Sequence, residues 1–196
     1  MNIAVFASGG GSNFRAILDK IKSGDLKNAE IRAVISNNSK AGALEIARKS
    51  NIPAIHMSGK THPETKRYEK EMLELLEQYN IELILMAGYM KLLPSAVISR
   101  YSKKVLNIHP ALLPRFGGKN MYGMNVHKAV LESGEKWSGP TVHYANEKYD
   151  EGTIIRQAKV PVLNGDTPEI LGARVLKAEH DLYWRVIDEM VNGSSS

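Results

Sequence analysis

The chain has 196 residues, 43% of them hydrophobic, which is enough for one globular domain with a real core. It contains no cysteine, so disulfides and thiolate chemistry are excluded. The formal net charge of +5 is spread along the chain, which suits small anionic ligands better than nucleic acid. The first residues lack the features of a signal peptide, and no apolar run approaches the ~20 residues that cross a bilayer. We therefore predict a single cytoplasmic domain over residues 1–191, a disordered tail over 192–196, and neither a membrane nor a nucleic-acid partner.

Short apolar segments alternate with amphipathic ones through the first half of the chain, a pattern typical of βαβ units on a parallel sheet. The predicted strands of this part are residues 2–7, 31–35, 53–57, 81–86 and 105–108, and the predicted helices are 12–21, 41–50 and 64–79. Later in the chain the patterns predict helices over 122–133 and 167–190 and two antiparallel strands over 139–145 and 153–162. The predicted fold class is α/β, a Rossmann-like, mostly parallel twisted sheet with helices on both faces and an antiparallel strand pair toward the C-terminus.

A glycine-rich loop joins the first strand to the first helix, with the sequence Ser8-Gly-Gly-Gly-Ser-Asn13. The free amides of a helix N-terminus and its dipole favour an anion, so the loop indicates a phosphate site. A plain tight turn with Ser12 as the helix N-cap is the alternative. A dinucleotide site is disfavoured because Phe14 stands where a third glycine or alanine is needed. A P-loop is excluded as well, since its Gly-Lys-Ser/Thr sequence is absent.

The segment Asn107-Ile-His109-Pro110 ends a predicted strand. A spacing of two puts the Asn107 and His109 side chains on one face of that strand, and Pro110 ends its hydrogen-bond ladder. Ligands of open α/β sheets bind beyond the carboxyl ends of strands, which makes this pair a candidate catalytic site. A structural histidine at a strand end is the alternative.

Asp150 is the carboxylate that could complete a catalytic set with Asn107 and His109. Beside His109 it would select the tautomer of the imidazole, raise its pKa and stabilise the imidazolium. Asn107 could donate a hydrogen bond to a developing oxyanion. Without a serine or cysteine these residues form no nucleophilic triad, so they suit direct transfer in which the substrate itself is the nucleophile.

The remaining histidines give no sign of a metal site. His143 is interpreted as structural. The other four show no metal-ligand spacing with acids, so we predict no metal; they are His56, His62, His127 and His180.

The segment Gly88 to Leu93 follows another strand end. It predicts a wall for a flat apolar or heteroaromatic ligand, with core packing of Leu92 and Leu93 as the alternative.

These segments, taken together and in order, resemble the glycinamide ribonucleotide formyltransferases, which use 10-formyltetrahydrofolate in purine synthesis. The resemblance covers nearly the whole chain. The matching segments are Ser8-Gly-Gly-Gly-Ser-Asn13, Ala87 to Leu93, Leu106 to Pro114, Thr141-Val-His143, Asp150-Glu-Gly152, Gln157 to Val162 and Glu179-His180.

The resemblance implies a role for each of these residues. His109 is then the general acid/base, Asn107 steadies the oxyanion, and Asp150 raises the pKa of His109 and relays the proton. The ribonucleotide contacts that it implies are Gly11, Ser12, Asn13, Gly88 and Glu179. The folate contacts that it implies are Met90, Lys91, Leu92, Leu93, Asn107, Asn146, Glu147, Lys148 and Tyr149. 10-Formyltetrahydrofolate is a co-substrate in this scheme, and no covalent enzyme intermediate is expected.

Two departures from the family pattern leave details open. Thr65 stands where many members carry a basic residue that contacts the folate tail, with Lys66 and Arg67 beside it. The stretch from Gly118 to Val126 is longer than in the shortest members, which leaves the conformation of the loop over residues 116–126 open. The alternatives for function are a formyltetrahydrofolate hydrolase, another folate-dependent formyltransferase, and a non-enzymatic module that binds a phosphate ligand. The sequence leaves the oligomeric state open, a weak homodimer included.

Overall fold

The computed structural model describes residues 1–193, which form nine strands and six helices. The strands are β1 (Asn2–Phe6), β2 (Glu30–Ser36), β3 (Ala54–His56), β4 (Leu83–Met86), β5 (Val105–His109), β6 (Trp137–Ser138), β7 (Thr141–Tyr144), β8 (Ile154–Gln157) and β9 (Val160–Pro161). The helices are α1 (Ser12–Lys22), α2 (Gly42–Lys49), α3 (Thr65–Gln78), α4 (Ser95–Arg100), α5 (Met124–Glu132) and α6 (Pro168–Asn192).

Seven of the strands form one sheet in the order β3-β2-β1-β4-β5-β7-β8. The strands from β3 to β5 are mutually parallel, whereas β7 pairs antiparallel with β5 and β8 pairs antiparallel with β7. The predicted α/β class, with a parallel sheet and an antiparallel pair added near the C-terminus, is confirmed. Strands β6 and β9 form a separate two-stranded antiparallel sheet.

Strand β1 lies in the middle of the sheet and is covered on both faces. Ile3 and Val5 point into a core beneath α1, α2 and α6, whereas Ala4 and Phe6 point into a second core beneath α3 and α4. All four side chains are fully buried. Such complete burial explains why the strand reads as a continuous apolar run rather than as an alternating one.

The predicted single strand over 153–162 is wrong, because the chain crosses from one sheet to the other within it. Residues 154–157 pair with β7, and residues 160–161 pair with β6. At the crossing the Ala158 amide donates to the Pro140 carbonyl at 3.1 Å. A Cβ on Gly139 would lie 1.8 Å from the Ala158 carbonyl oxygen, so only glycine permits this approach. Neither β6 nor α4 was predicted, since both are too short to show a hydrophobic period.

Helix α6 runs to Asn192, so the predicted tail begins too early. The Asn192 side chain donates to the Asp188 carboxylate at 2.7 Å and accepts from the Asn28 side chain at 2.8 Å. Residues 194–196, the remainder of the predicted tail, lie outside the described residues. Over residues 1–193, every helix is too short or too polar to cross a membrane.

Candidate active site

Strand β5 carries two polar residues at its carboxyl end. His109 is only 4% exposed, Asn107 is half-buried, and Ile108 between them packs into the core on the other face. The alternation of the strand therefore puts the amide and the imidazole on the same face of the sheet.

Asp150 lies against both of these side chains. Its Oδ2 atom is 3.3 Å from His109 Nδ1, and its Oδ1 atom accepts a hydrogen bond from Asn107 Nδ2 at 3.3 Å. Asp150 belongs to the loop between β7 and β8, and this loop lies over the face of β5 that carries Asn107 and His109. Asp150 itself adopts a left-handed conformation with φ +55°, which aspartate tolerates better than most residues.

His143 belongs to this cluster, although the sequence led us to interpret it as structural. It stands directly opposite Asn107 in the β5–β7 register. Its Nε2 atom is 3.0 Å from Asn107 Nδ2 and 3.6 Å from Asp150 Oδ1. The register of an antiparallel pair that is distant in sequence would have revealed this neighbour, and no single segment of the sequence contains it.

The second nitrogen of His109 contacts the loop that follows β5. His109 Nε2 donates to the Phe116 carbonyl at 2.8 Å, since a carbonyl can only accept. The next residues close the cluster from the same side, because the Gly118 amide donates to Asp150 Oδ2 at 2.9 Å. Both ring nitrogens of His109 therefore face hydrogen-bond acceptors, Nδ1 the Asp150 carboxylate and Nε2 the Phe116 carbonyl.

Burial governs the electrostatics of the pair. Burial lowers the pKa of His109, and it outweighs the opposing effects of the Asp150 charge and the Phe116 carbonyl. The contribution of Asp150 has the predicted sign, because its charge raises this pKa, but burial decides the net direction. Burial pushes the pKa of Asp150 upward, but contacts with His143, His109 and the Gly118 amide together hold it below its usual value.

The glycine loop is shaped by the packing of α2 against α1. Gly11 precedes α1 with φ +78°, and a Cβ there would lie 2.8 Å from the Ala43 Cα of α2. The first helical hydrogen bond runs from the Arg15 amide to the Gly11 carbonyl at 2.8 Å. The amides of the first turn before Arg15 have no acceptor within the helix. Ser12 is exposed beside them.

Glu179 on α6 joins the glycine loop across 166 residues of sequence, since its Oε2 atom accepts from Asn13 Nδ2 at 2.6 Å. Glu179 is 7% exposed, and burial raises its pKa to about 7, while the Asn13 hydrogen bond acts in the opposite direction. The Asn13 Oδ1 atom is buried and has no hydrogen-bond partner among residues 1–193.

The segment after β4 is tied to the same loop. The Ser8 amide donates to the Gly88 carbonyl at 3.0 Å, and Ser8 Oγ accepts from the Met90 amide at 2.9 Å. Met90 and Leu92 are 46% and 37% exposed and can face a ligand. Lys91 is exposed as well.

Two other side chains of that segment turn inward. Tyr89 is buried and packs edge-on against Phe6, and Leu93 lies in the core beneath α3 and α4. The Leu93 side chain therefore packs in the core, as the alternative has it, and the predicted folate contact of this residue stays a prediction. Leu92 does not share that packing, because it is exposed.

The remaining predicted folate contacts lie just before Asp150. Asn146 and Tyr149 are half-buried, whereas Glu147 and Lys148 are exposed. The turn is stabilised by a hydrogen bond from the Lys148 amide to Asn146 Oδ1 at 2.9 Å.

The basic residues near Thr65 lie in the first turn of α3, where Arg67 pairs with Glu71 at 2.7 Å.

As for metals, the described part of the chain contains no group of three or more histidine, aspartate or glutamate side chains that could hold an ion.

Comparison with known proteins decides the family. The family model described as "Formyl transferase" matches residues 1–187. The chain belongs to the formyl transferase family. The phosphoribosylglycinamide formyltransferase of Escherichia coli K12 is 37% identical over 193 residues, which is 98% of this chain and 88% of that protein. The chloroplastic enzyme of the same name from Arabidopsis thaliana is 46% identical over 94% of this chain, and the match spans 63% of its own length.

A solved structure shows the same formyl transferase fold. Glycinamide ribonucleotide transformylase 1 from Symbiobacterium toebii superposes with a TM-score of 0.90 at 38% identity, covering 98% of this chain and 88% of that one. A likeness of this extent shows that the two chains share one fold over nearly the whole of this chain.

Proposed function

We propose that this formyl transferase moves the formyl group of 10-formyltetrahydrofolate to the amino group of N1-(5-phospho-D-ribosyl)glycinamide, a step of purine biosynthesis. The observation that carries the proposal is the buried cluster of His109, Asp150 and Asn107 on the same sheet edge as a phosphate-type glycine loop. The names of the Escherichia coli and Arabidopsis relatives support the same substrates.

The ribonucleotide end of the cleft is built on α1. The phosphate binds at Gly11, Ser12 and Asn13, where helix amides and the helix dipole favour an anion. Gly88 and Glu179 lie beside the rest of the nucleotide, since each is hydrogen-bonded to the glycine loop. Gly88 accepts from the Ser8 amide, and Glu179 accepts from the Asn13 side chain.

The folate end uses the segments that flank the cluster. Met90 and Leu92 supply exposed apolar surface for a pterin ring, with Lys91 between them. The turn over residues 146–149 adds polar groups and leads directly into Asp150. Asn107 lies between this end and the ribonucleotide end, beside the carbon that is transferred.

The chemistry is a direct displacement at the formyl carbon. The substrate amine forms a bond to that carbon, the carbon–nitrogen bond to the folate breaks, and the amine gives up one proton while the folate nitrogen gains one. His109 receives and supplies these protons at Nδ1, the nitrogen beside Asp150, because its Nε2–H is held by the Phe116 carbonyl. Asp150 stabilises the imidazolium while it lasts.

The test is an absorbance assay of folate deformylation with 10-formyltetrahydrofolate or its 5,8-dideaza analogue. We expect turnover that needs glycinamide ribonucleotide and that falls by about 100-fold or more in His109→Ala. Binding of the ribonucleotide, followed by calorimetry, should survive the substitution because its phosphate binds at the other end of the cleft.

Three results would contradict the proposal in different ways. Turnover without the ribonucleotide would identify a formyltetrahydrofolate hydrolase, and turnover only with another amine would identify a different folate-dependent transferase. Ribonucleotide binding without any turnover, equal in the wild type and in His109→Ala, would identify a binding module. A cytoplasmic location and a weak homodimer stay predictions, checked by fractionation and by sedimentation.

A further inference from the structure

We propose that Gln157 is a positioning residue of this site, which anchors the loop after β5 and so holds that loop against His109 and Asp150. The proposal rests on the proposed function. It concerns a residue at the end of β8 that acts through the loop and not on the reacting atoms.

Three residues stand in one row across the sheet. Thr141 of β7 is directly opposite His109 in the β5–β7 register, and it is directly opposite Gln157 in the β7–β8 register. Side chains that stand opposite one another in an antiparallel pair lie on the same face of the sheet. The row therefore connects β8, the last strand of the sheet, to the strand that carries the candidate general acid/base.

The Thr141 hydroxyl holds the first residues after β5. It donates to the Ala111 carbonyl at 2.6 Å and accepts from the Leu113 amide at 3.1 Å. Both partners are backbone groups with only one possible role, so the hydroxyl hydrogen points toward Ala111. Thr141 is fully buried, so water does not compete for these hydrogen bonds.

Gln157 completes this network. Its Nε2 atom lies 2.9 Å from the Leu113 carbonyl oxygen and 2.8 Å from Thr141 Oγ1. Because a carbonyl can only accept, the nitrogen of the Gln157 amide is the end that faces inward. Its two hydrogens serve the Leu113 carbonyl and the remaining lone pair of the Thr141 hydroxyl. Backbone partners therefore determine every hydrogen of the network.

The other end of the same loop meets the catalytic cluster. The Phe116 carbonyl accepts from His109 Nε2 at 2.8 Å, and the Gly118 amide donates to Asp150 Oδ2 at 2.9 Å. These two contacts orient the imidazole and the carboxylate toward each other. A misplacement of such groups by about 1 Å can lower the rate of a reaction by about 100-fold.

The residues between the two ends are closely packed. A Cβ on Gly117 would lie 2.6 Å from the Leu113 side chain and 3.0 Å from the Asp150 Cβ. A shift of Leu113 therefore presses on the chain that contacts Asp150. By holding Leu113, Gln157 acts on the cluster at a distance of one short loop.

Gln157→Glu tests the anchor in the full-length protein. The carboxylate keeps the size of the side chain but has no hydrogen for the Leu113 carbonyl. We expect kcat to fall by about 10-fold or more, while the KM for the ribonucleotide changes by less than about threefold. Gln157→Lys, which still brings an N–H donor, should recover part of the activity. Arg156→Gln is the matched control, since it removes an ion pair with Glu189 from the adjacent residue and should keep its kcat.

Amide hydrogen exchange followed by NMR gives a second measurement that does not depend on activity. In Gln157→Glu, the amides of Leu113 and Gly118 should exchange faster than in the wild type, whereas those of β1 should be unchanged. An unchanged kcat, or an unchanged exchange rate at Gly118, would overturn the proposal. If the wild type shows no formyl transfer at all, the proposed function fails, while the exchange rates still decide whether Gln157 holds the loop.

Discussion

The two ends of the candidate cleft are built in different ways. At the glycine loop, the groups proposed to bind the phosphate are consecutive residues and largely backbone amides, placed by the local strand-loop-helix geometry of β1 and α1. At the proposed catalytic cluster, the groups are side chains from β5, β7 and the loop after β7, and Asn107 and Asp150 are 43 residues apart. The first kind of site depends on local conformation, whereas the second depends on strand register.

This difference predicts which substitutions act on chemistry and which act on folding. A change at the catalytic cluster removes a group whose neighbours still hold the chain in place. A change at the glycine loop disturbs the backbone on which α1 and α2 pack. Four substitutions sharpen the comparison.

Asp150→Asn should have the largest effect, a fall in kcat by about 100-fold or more, because His109 loses the charge that stabilises its imidazolium. Asparagine keeps the size of the side chain and tolerates the left-handed backbone at this position. Steady-state kinetics measure the effect. Asp166→Asn, which weakens an ion pair with Arg174 outside the cleft, is the matched control and should keep its kcat.

Gly11→Ala should destabilise the protein by about 2–4 kcal/mol, since alanine resists φ +78° and its Cβ would press on the Ala43 backbone. Urea unfolding measures this loss. Ser12→Ala, one residue on and exposed, should leave the free energy of unfolding nearly unchanged while weakening ribonucleotide binding. Equal stability losses in both variants would show that the loop is not held by α2.

Glu179→Gln should change how stability depends on pH. The pKa of Glu179 in the folded protein is about 7, above its value in the unfolded chain. Its contribution to stability is therefore fully present at low pH and is lost as the pH rises through about 7. Without ligand, the wild type should lose roughly 2–3 kcal/mol more than the variant between pH 4 and pH 9. Glu77→Gln on the exposed face of α3 should keep the wild-type profile, and a profile for Glu179→Gln that also matches the wild type would contradict the prediction.

Tyr183→Phe should have the smallest effect, a loss of about 1–2 kcal/mol in the free energy of unfolding without a change in kcat. The fully buried Tyr183 hydroxyl lies 3.2 Å from the Met86 carbonyl and 3.0 Å from the Leu106 carbonyl. It thereby links α6 to β4, which leads into the segment Gly88 to Leu93, and to β5, which carries Asn107 and His109. A large loss of kcat in this variant would show that this link also positions the site.

Most of the fold could be predicted because its signals are local. The apolar run of β1, the helical period of α1 and the turn residues between them all lie within 22 residues. The crossing at Ala158 could not be predicted in this way. The residues on either side of it are strand-like, and only the partners of β8 and β9 decide where the first strand ends and the second begins.

The same distinction between local signals and distant contacts applies to the candidate site. The sequence by itself determined the glycine loop, the Asn107–His109 pair on one strand face and the residue types suited to direct transfer, because each depends on spacing within one segment. Only the tertiary structure decided that His143 joins Asn107, that Leu93 and Tyr89 turn into the core, and that burial lowers the pKa of His109. The physical reason is that register, burial and local dielectric depend on what lies opposite a residue, and its own segment does not specify that.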